Sequence, residues 1–168
     1  MSTARSLEAG VLGGIGNTPL VQLRNVVPRD SGRVLVKLEW ANPTGSMKDR
    51  MAEAAVRHAE ADGRLPAGGT VVEYSSGTTG ISLALVCAAR KYVLEIVFSD
   101  AFSDEKRRTM LAFGARLTDV RSDNQKITES LIKDMISTAA EISHRPGHWY
   151  CDQLNNHDAI KGYLPLGT

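Results

Sequence analysis

The order of apolar and polar segments predicts an α/β fold, a parallel twisted sheet flanked by helices in three layers (α/β/α). Three observations carry this. Short runs rich in β-branched residues alternate with longer helical segments. Gly, Pro and Asp punctuate the boundaries, as in Asp62-Gly63 and Pro146-Gly147. The 168 residues are 42% hydrophobic with a net charge of only +1, which suits one buried core rather than a disordered chain.

The elements follow in order. Val34–Trp40 reads as a strand, and Ser46–Ala61 as a helix stopped by Asp62-Gly63. Thr70–Tyr74 is a β-branched strand, Ser75–Gly80 a small polar turn and Thr79–Arg90 an apolar helix. Val93–Phe98 reads as a buried strand. Ser103–Phe113 is helical, with Asp104 and Glu105 in the first turn, where the helix dipole favours acids. Arg116–Val120 is a strand, Asp123–Ile142 a long helix and His148–Cys151 a last short strand. Ligand sites in such sheets lie beyond the C-terminal ends of strands. The turns after Trp40 and after Tyr74 are the two candidates.

Composition narrows the function. No basic stripe interleaved with aromatics points to nucleic acid. Apolar runs such as Leu83–Ala89 are much shorter than a membrane span. Met1–Ser6 is not followed by a signal-type apolar block, and Cys87 and Cys151 do not make a disulfide framework. A soluble cytoplasmic protein is the expectation. Cys87, in an apolar run, reads as a buried inert thiol. His144, His148, Cys151 and Asp152 have no metal-site spacing, so no metal is expected.

The first turn reads Asn42-Pro43-Thr44-Gly45-Ser46-Met47-Lys48-Asp49-Arg50. Ser46 followed by Asp49 is an acidic variant of the capping box, which places Ser46 at the N-cap and Lys48 in the first helical turn. The dipole there disfavours a charged amine. A neutral amine is what imine chemistry with an aldehyde needs. A solvated surface lysine is the alternative. The second turn, Ser75-Ser76-Gly77-Thr78-Thr79-Gly80, offers backbone N–H groups, small residues and hydroxyls at a helix start, which suits a carboxylate. An ordinary capped turn fits the same residues.

The lysine turn resembles the cofactor-lysine motif of the cysteine synthase and cystathionine β-synthase family. Gly16-Asn17-Thr18-Pro19-Leu20-Val21 is similar to the family's opening motif. Gly68–Glu73, Ser103-x-Glu105-Lys106-Arg107 and Leu111-Ala112-Phe113-Gly114-Ala115 are family-like and in the right order. The resemblance runs from Ile15 to Gly167. It implies the N-terminal part of a fold type II pyridoxal-phosphate enzyme. Lys48 would then hold pyridoxal 5'-phosphate as an imine and move the substrate's α-proton once released.

By the same resemblance Ser75, Ser76, Gly77 and Thr79 bind the amino-acid carboxylate, and the Gln153 amide joins them, although a surface-loop glutamine is the plainer reading. Thr78 stands where the family usually has Asn, whose amide donates to the cofactor's ring hydroxyl oxygen. Thr is shorter and β-branched and donates one hydrogen bond. Lys91 stands where the family usually has Gly, at a cost on the order of 1 kcal/mol if that position is left-handed.

The implied reaction is β-replacement on an activated serine, O-acetylserine plus sulfide giving cysteine. A cystathionine β-synthase-like or other β-replacing or lyase enzyme is the alternative. A non-catalytic truncated homologue that acts as a binding partner is another. The Ser-Ser-Gly-x-Thr-Gly loop favours this branch over serine/threonine dehydratases, whose loop usually reads Ser-x-Gly-Asn-His. The family's Gly-rich phosphate loop and pyridine-nitrogen partner are expected beyond Thr168. Residues 1–40 are therefore expected to pack on a C-terminal domain missing here, 41–150 to form the small domain with the cofactor lysine, and 151–168 to start the truncated C-terminal domain. Leu20, Val21 and Leu23 would lack burial partners, and the isolated chain would be inactive. A small amino-acid substrate is the expected partner, with a homodimer for the full-length family.

Overall fold

The computed structural model describes residues 7–167, so the Met1–Ser6 stretch read as lacking a leader lies outside the described residues. Four strands, β3 (Thr70–Tyr74), β4 (Val93–Ser99), β5 (Arg116–Val120) and β6 (His148–Tyr150), form a parallel sheet in the order β5-β4-β3-β6. Period-two alternation divides their side chains between two faces. Val71, Leu94, Ile96 and Phe98 face one layer, made of α1 (Lys48–Ala61), α2 (Thr78–Arg90) and Met110 of α3 (Asp104–Ala112). Val72 and Val97 face the other, against Leu131, Met135, Ala139 and Ile142 of α4 (Glu129–Ser143). Burial on both faces explains why β4 reads as a nearly continuous apolar run. The three-layer α/β/α expectation holds.

The chain winds from β3 to β4 to β5, then crosses back through α4 to place β6 on the far side of β3. The strand order therefore reverses between β3 and β6. In open α/β sheets the crevice at such a reversal is where ligands bind.

The strand expected over Val34–Trp40 is corrected. Only Leu35–Lys37 (β2) is extended, and it pairs antiparallel with β1 (Leu20–Gln22) in a separate ribbon. Glu39–Ala41 is a 3-10 turn because the Asn42 amide folds back onto the Glu39 carbonyl at 2.7 Å. The turn after Trp40 thus does not end a strand of the parallel sheet. The ribbon leaves apolar side chains in solvent, Leu20 at 59% and Leu35 at 45% exposure.

The long helix is also corrected, since α4 starts at Glu129 and not Asp123. Asn124 and Gln125 take positive φ, which ends regular helix there, and Thr128 caps the true start by accepting from Leu131 N at 3.2 Å. A five-residue helix, α5 (His157–Lys161), has no counterpart in the sequence reading; Asn156 caps it, and it buries Ala159 in the main core.

Lys91 ends α2 in the left-handed region (φ 63°, ψ 35°), a conformation that clashes with a Cβ. Lys91→Gly is expected to stabilise the chain by on the order of 1 kcal/mol in urea unfolding, and an unchanged midpoint would refute a strain cost.

Glu73 alternates onto the same face as Val71 and is fully buried. Burial pushes its carboxyl up to about 8, against the backbone N–H groups of Gln153 and Tyr74 that favour the anion. The folded state then holds this proton where the unfolded chain has lost it. That stabilising share is full below the ordinary glutamate range and is lost as pH rises through about 8. Stability is expected to fall by on the order of a few kcal/mol between about pH 5 and about pH 8.5. Glu73→Gln should flatten that slope, and an equal slope in both proteins would remove Glu73 as its cause.

Candidate active site

The lysine turn is built from the inside outward. Asp49 and Arg50, the two residues after Lys48, are both buried. The Asp49 carboxylate accepts from Thr44 N at 2.8 Å, from Thr44 Oγ1 at 2.5 Å and from Ser82 Oγ of α2 at 2.6 Å. The Arg50 guanidinium donates to both oxygens of Glu39, at 2.7 and 2.9 Å, and to Thr18 Oγ1 at 3.2 Å. Those hydrogen bonds, Arg50 first, hold the Glu39 carboxyl down at about 2 despite desolvation. Asn42 completes the network, accepting from Gly16 N at 2.8 Å and donating to Glu39 Oε2 at 2.9 Å.

This geometry corrects the capping box expected at Ser46 and Asp49. The helix begins at Lys48 after Met47. Ser46 Oγ accepts from Lys48 N at 3.1 Å, but the Asp49 carboxylate turns to Thr44 and Ser82 instead of reaching back to Ser46. With Asp49 and Arg50 drawn inward, Lys48 projects half-buried at the rim. Its Nζ lies 3.3 Å from Tyr163 Oη and 5.7 Å from that ring's centroid.

The second loop leaves the C-terminal end of β3. Ser75 is buried, and its Oγ accepts from Gly77 N at 3.0 Å and Gly80 N at 2.9 Å, so this hydroxyl braces the start of α2. Gly77 has φ 142°, and a Cβ there would sit 2.1 Å from Lys106 Cδ, so only glycine fits. Ser76 and Thr78 are exposed. Thr79 is buried and donates through Oγ1 to Gln153 Oε1 at 2.6 Å.

Gln153 follows β6 and is fastened three ways. Its Oε1 takes the Thr79 hydroxyl, its Nε2 donates to Tyr74 O at 3.2 Å, and its N–H donates to Glu73 Oε2 at 2.9 Å. The loops after β3 and β6 therefore meet at the point of strand-order reversal. The Asp49–Ser82 hydrogen bond joins them to the lysine turn, because Ser82 lies one helical turn beyond Thr78.

The structure thus gathers Ser75, Ser76, Gly77, Thr78, Thr79 and Gln153 beyond the C-terminal ends of β3 and β6, with Lys48 on the helix docked beside them. Sequence reasoning missed Tyr163, Ser82 and Glu73. Only Glu73 carried a signal, as an acid inside a β-branched strand. Cys87 and Cys151 are both buried, and burial pushes the Cys87 thiol up to about 12, which fits an inert core position. A cleft of about 570 Å³ opens elsewhere, lined by Phe98, Asp100 and Arg107. Its Arg107 is already paired in bidentate fashion with Asp119, and neither Lys48, Gln153 nor any residue of Ser75–Thr79 lines it.

Comparison with known proteins agrees with this architecture. A family model described as pyridoxal-phosphate dependent enzyme matches residues 11–168. Cysteine synthase of Staphylococcus aureus is 40% identical over 142 residues, which cover 84% of this chain and 44% of the relative. Cysteine synthase B of Escherichia coli is 38% identical over 86% of this chain and 46% of its own length. Among solved structures, a cysteine synthase from Entamoeba histolytica superposes with TM-score 0.82 at 32% identity, over 99% of this chain and 49% of that one. An O-ureido-L-serine synthase superposes with TM-score 0.80 at 36% identity, over 91% and 46%. The chain spans a little under half the length of the curated relatives named here. A family match across nearly every residue, with the lysine turn fastened to the helix that follows the β3 loop, identifies this chain as a member of the pyridoxal-phosphate-dependent enzyme family.

Proposed function

We propose that this chain supplies the lysine half of a cysteine synthase-type active site. The reaction is replacement of the acetate of O-acetylserine by sulfide, giving cysteine. The observation that carries the reading is the Asp49–Ser82 hydrogen bond, which fastens the Lys48 turn beside the loop where Thr79 meets Gln153. The similarity to cysteine synthases supports it.

The residues present fit one side of pyridoxal 5'-phosphate. An amine at the rim and the exposed Thr78 hydroxyl at the start of α2 match an aldehyde and a ring oxygen. Lys48 and Thr78 would hold the group, and when bound it supplies an electron sink for the substrate's α-carbon. The rest of the work falls to the chain. The first-turn N–H groups of a helix have no intrahelical partner. In α2 those of Gly80 and Ile81 go to Ser75 Oγ and Gly77 O, which leaves those of Thr78 and Thr79 for the substrate carboxylate. Ser76 adds an exposed hydroxyl, Gly77 keeps the approach open, and Ser75, Thr79 and Gln153 hold the loop in shape. Lys48 takes the proton from the α-carbon and returns it after sulfide has added and acetate has left.

The β1–β2 ribbon, with Leu20 and Val21 exposed, is assigned to packing against a C-terminal domain that also grips the cofactor phosphate. Catalysis needs the reacting groups held within a fraction of an ångström, so half a site does not suffice. The isolated chain is expected to show no turnover of O-acetylserine with sulfide. Adding the C-terminal half of the Staphylococcus aureus relative should restore turnover, and Lys48→Ala should abolish it. Robust Lys48-dependent turnover by the chain alone would overturn the assignment of a missing half. Lys48-independent turnover would overturn the site itself.

Thr78→Asn tests the cofactor contact. The longer amide donor is expected to tighten pyridoxal-phosphate binding several-fold or shift its bound absorbance. No change in either would exclude a direct contact from Thr78.

A further inference from the structure

Tyr163 lies far from Lys48 in sequence, and no motif drew attention to it. Its position is nevertheless built. Gly162 packs so closely on α1 that a Cβ there would lie 2.3 Å from Arg50 O and 3.0 Å from Ala54 Cβ. Only glycine allows that approach. The docking of α5 adds to it, with Ala159 buried and Asp158 bonded to Arg64 at 2.5 Å and to Lys161 at 2.7 Å. The next residue, Tyr163, packs its ring against the main core and presents its hydroxyl 3.3 Å from Lys48 Nζ.

We propose that Tyr163 is a positioning residue that holds the Lys48 amine at the rim of the site until a carbonyl compound displaces it. The inference rests on the reading of Lys48 as the imine-forming lysine. As an ammonium, Nζ donates to the phenol oxygen and lies near the ring face, at 5.7 Å from its centroid. As a neutral amine, its lone pair accepts from the phenol O–H. In both states the contact must break before the amine can react, and the ammonium must also release its third proton to solvent. The lone pair then forms the C–N bond to the carbonyl carbon, the carbonyl oxygen leaves as water with both amine protons, and an imine remains. The phenol thus sets how readily Lys48 is captured, while the ring keeps the end of α5 packed.

The test compares the native chain with Tyr163→Phe, which keeps the ring and removes the hydroxyl. Each protein is exposed to pyridoxal phosphate for graded times and reduced with borohydride. Labelling is then quantified by peptide mass spectrometry at Lys48, with the exposed Lys91 and Lys126 as internal references. The ratio of Lys48 to reference labelling should rise roughly two- to tenfold in Tyr163→Phe, with an unchanged urea midpoint. A merely structural role would shift the midpoint or all lysines together, and would overturn the proposal. Equal or slower Lys48 labelling in Tyr163→Phe overturns the hold while leaving the Lys48 reading intact. If Lys48 is labelled no faster than the references in either protein, both the hold and the Lys48 reading fall.

Discussion

One buried carboxylate ties the candidate site together. Asp49 sits at zero exposure and collects three hydrogen bonds, two from Thr44 and one from Ser82. A charge so deeply placed persists only when its oxygens are satisfied, and each such bond contributes about 1.5–3 kcal/mol. The Thr44 bonds fix the loop that enters α1. The Ser82 bond fixes α1 against α2. Because Lys48 precedes Asp49, and Thr78 and Thr79 precede Ser82 by about one turn, a single interaction sets the lysine and the β3 loop relative to each other. The Arg50–Glu39 pair does the same on the other side, anchoring the 3-10 turn and the Thr18 backbone segment beneath the lysine turn.

A second constraint comes from the end of the sheet. Glu73 offers one oxygen to its neighbour Tyr74 and the other to Gln153, across the β3–β6 seam. The Gln153 amide then spans from the Tyr74 carbonyl to the Thr79 hydroxyl. Backbone and side-chain bonds thus close the loops into one unit without an aromatic or disulfide clamp. The arrangement keeps the loop after β3 in place while Ser76 and Thr78 remain open to solvent.

Much of the fold was legible because its elements are locally consistent. The β-branched strands, the apolar α2 and the Gly or Asp stops agree with the parallel sheet, and the boundaries of β3 and β5 match residue for residue. The misreadings fall where a long-range partner overrides local pattern. Val34–Trp40 reads as one strand, but Arg50 and Asn42 hold Glu39 in a tight turn. Ser46 and Asp49 read as a capping box, but Ser82, 33 residues away from Asp49, takes the carboxylate. The onset of α4 was missed because left-handed Asn124 and Gln125 give no hydrophobic-period signal.

The sequence by itself determined the sheet class, the helix that follows each of the two turns, and the lysine and hydroxyl residues at those turns. Those follow from side-chain period, β-branching and small polar residues, all of which act over a few positions. Tertiary structure alone decided that Gln153 is fastened between Tyr74 and Thr79, that Glu73 is buried with a raised carboxyl, and that Tyr163 reaches Lys48. Each depends on strands or helices that are distant in the chain and meet only when the strand order reverses and α5 docks on α1. No local rule encodes a contact between residues 80 or 115 positions apart, because the energy that makes it belongs to the packing of whole elements.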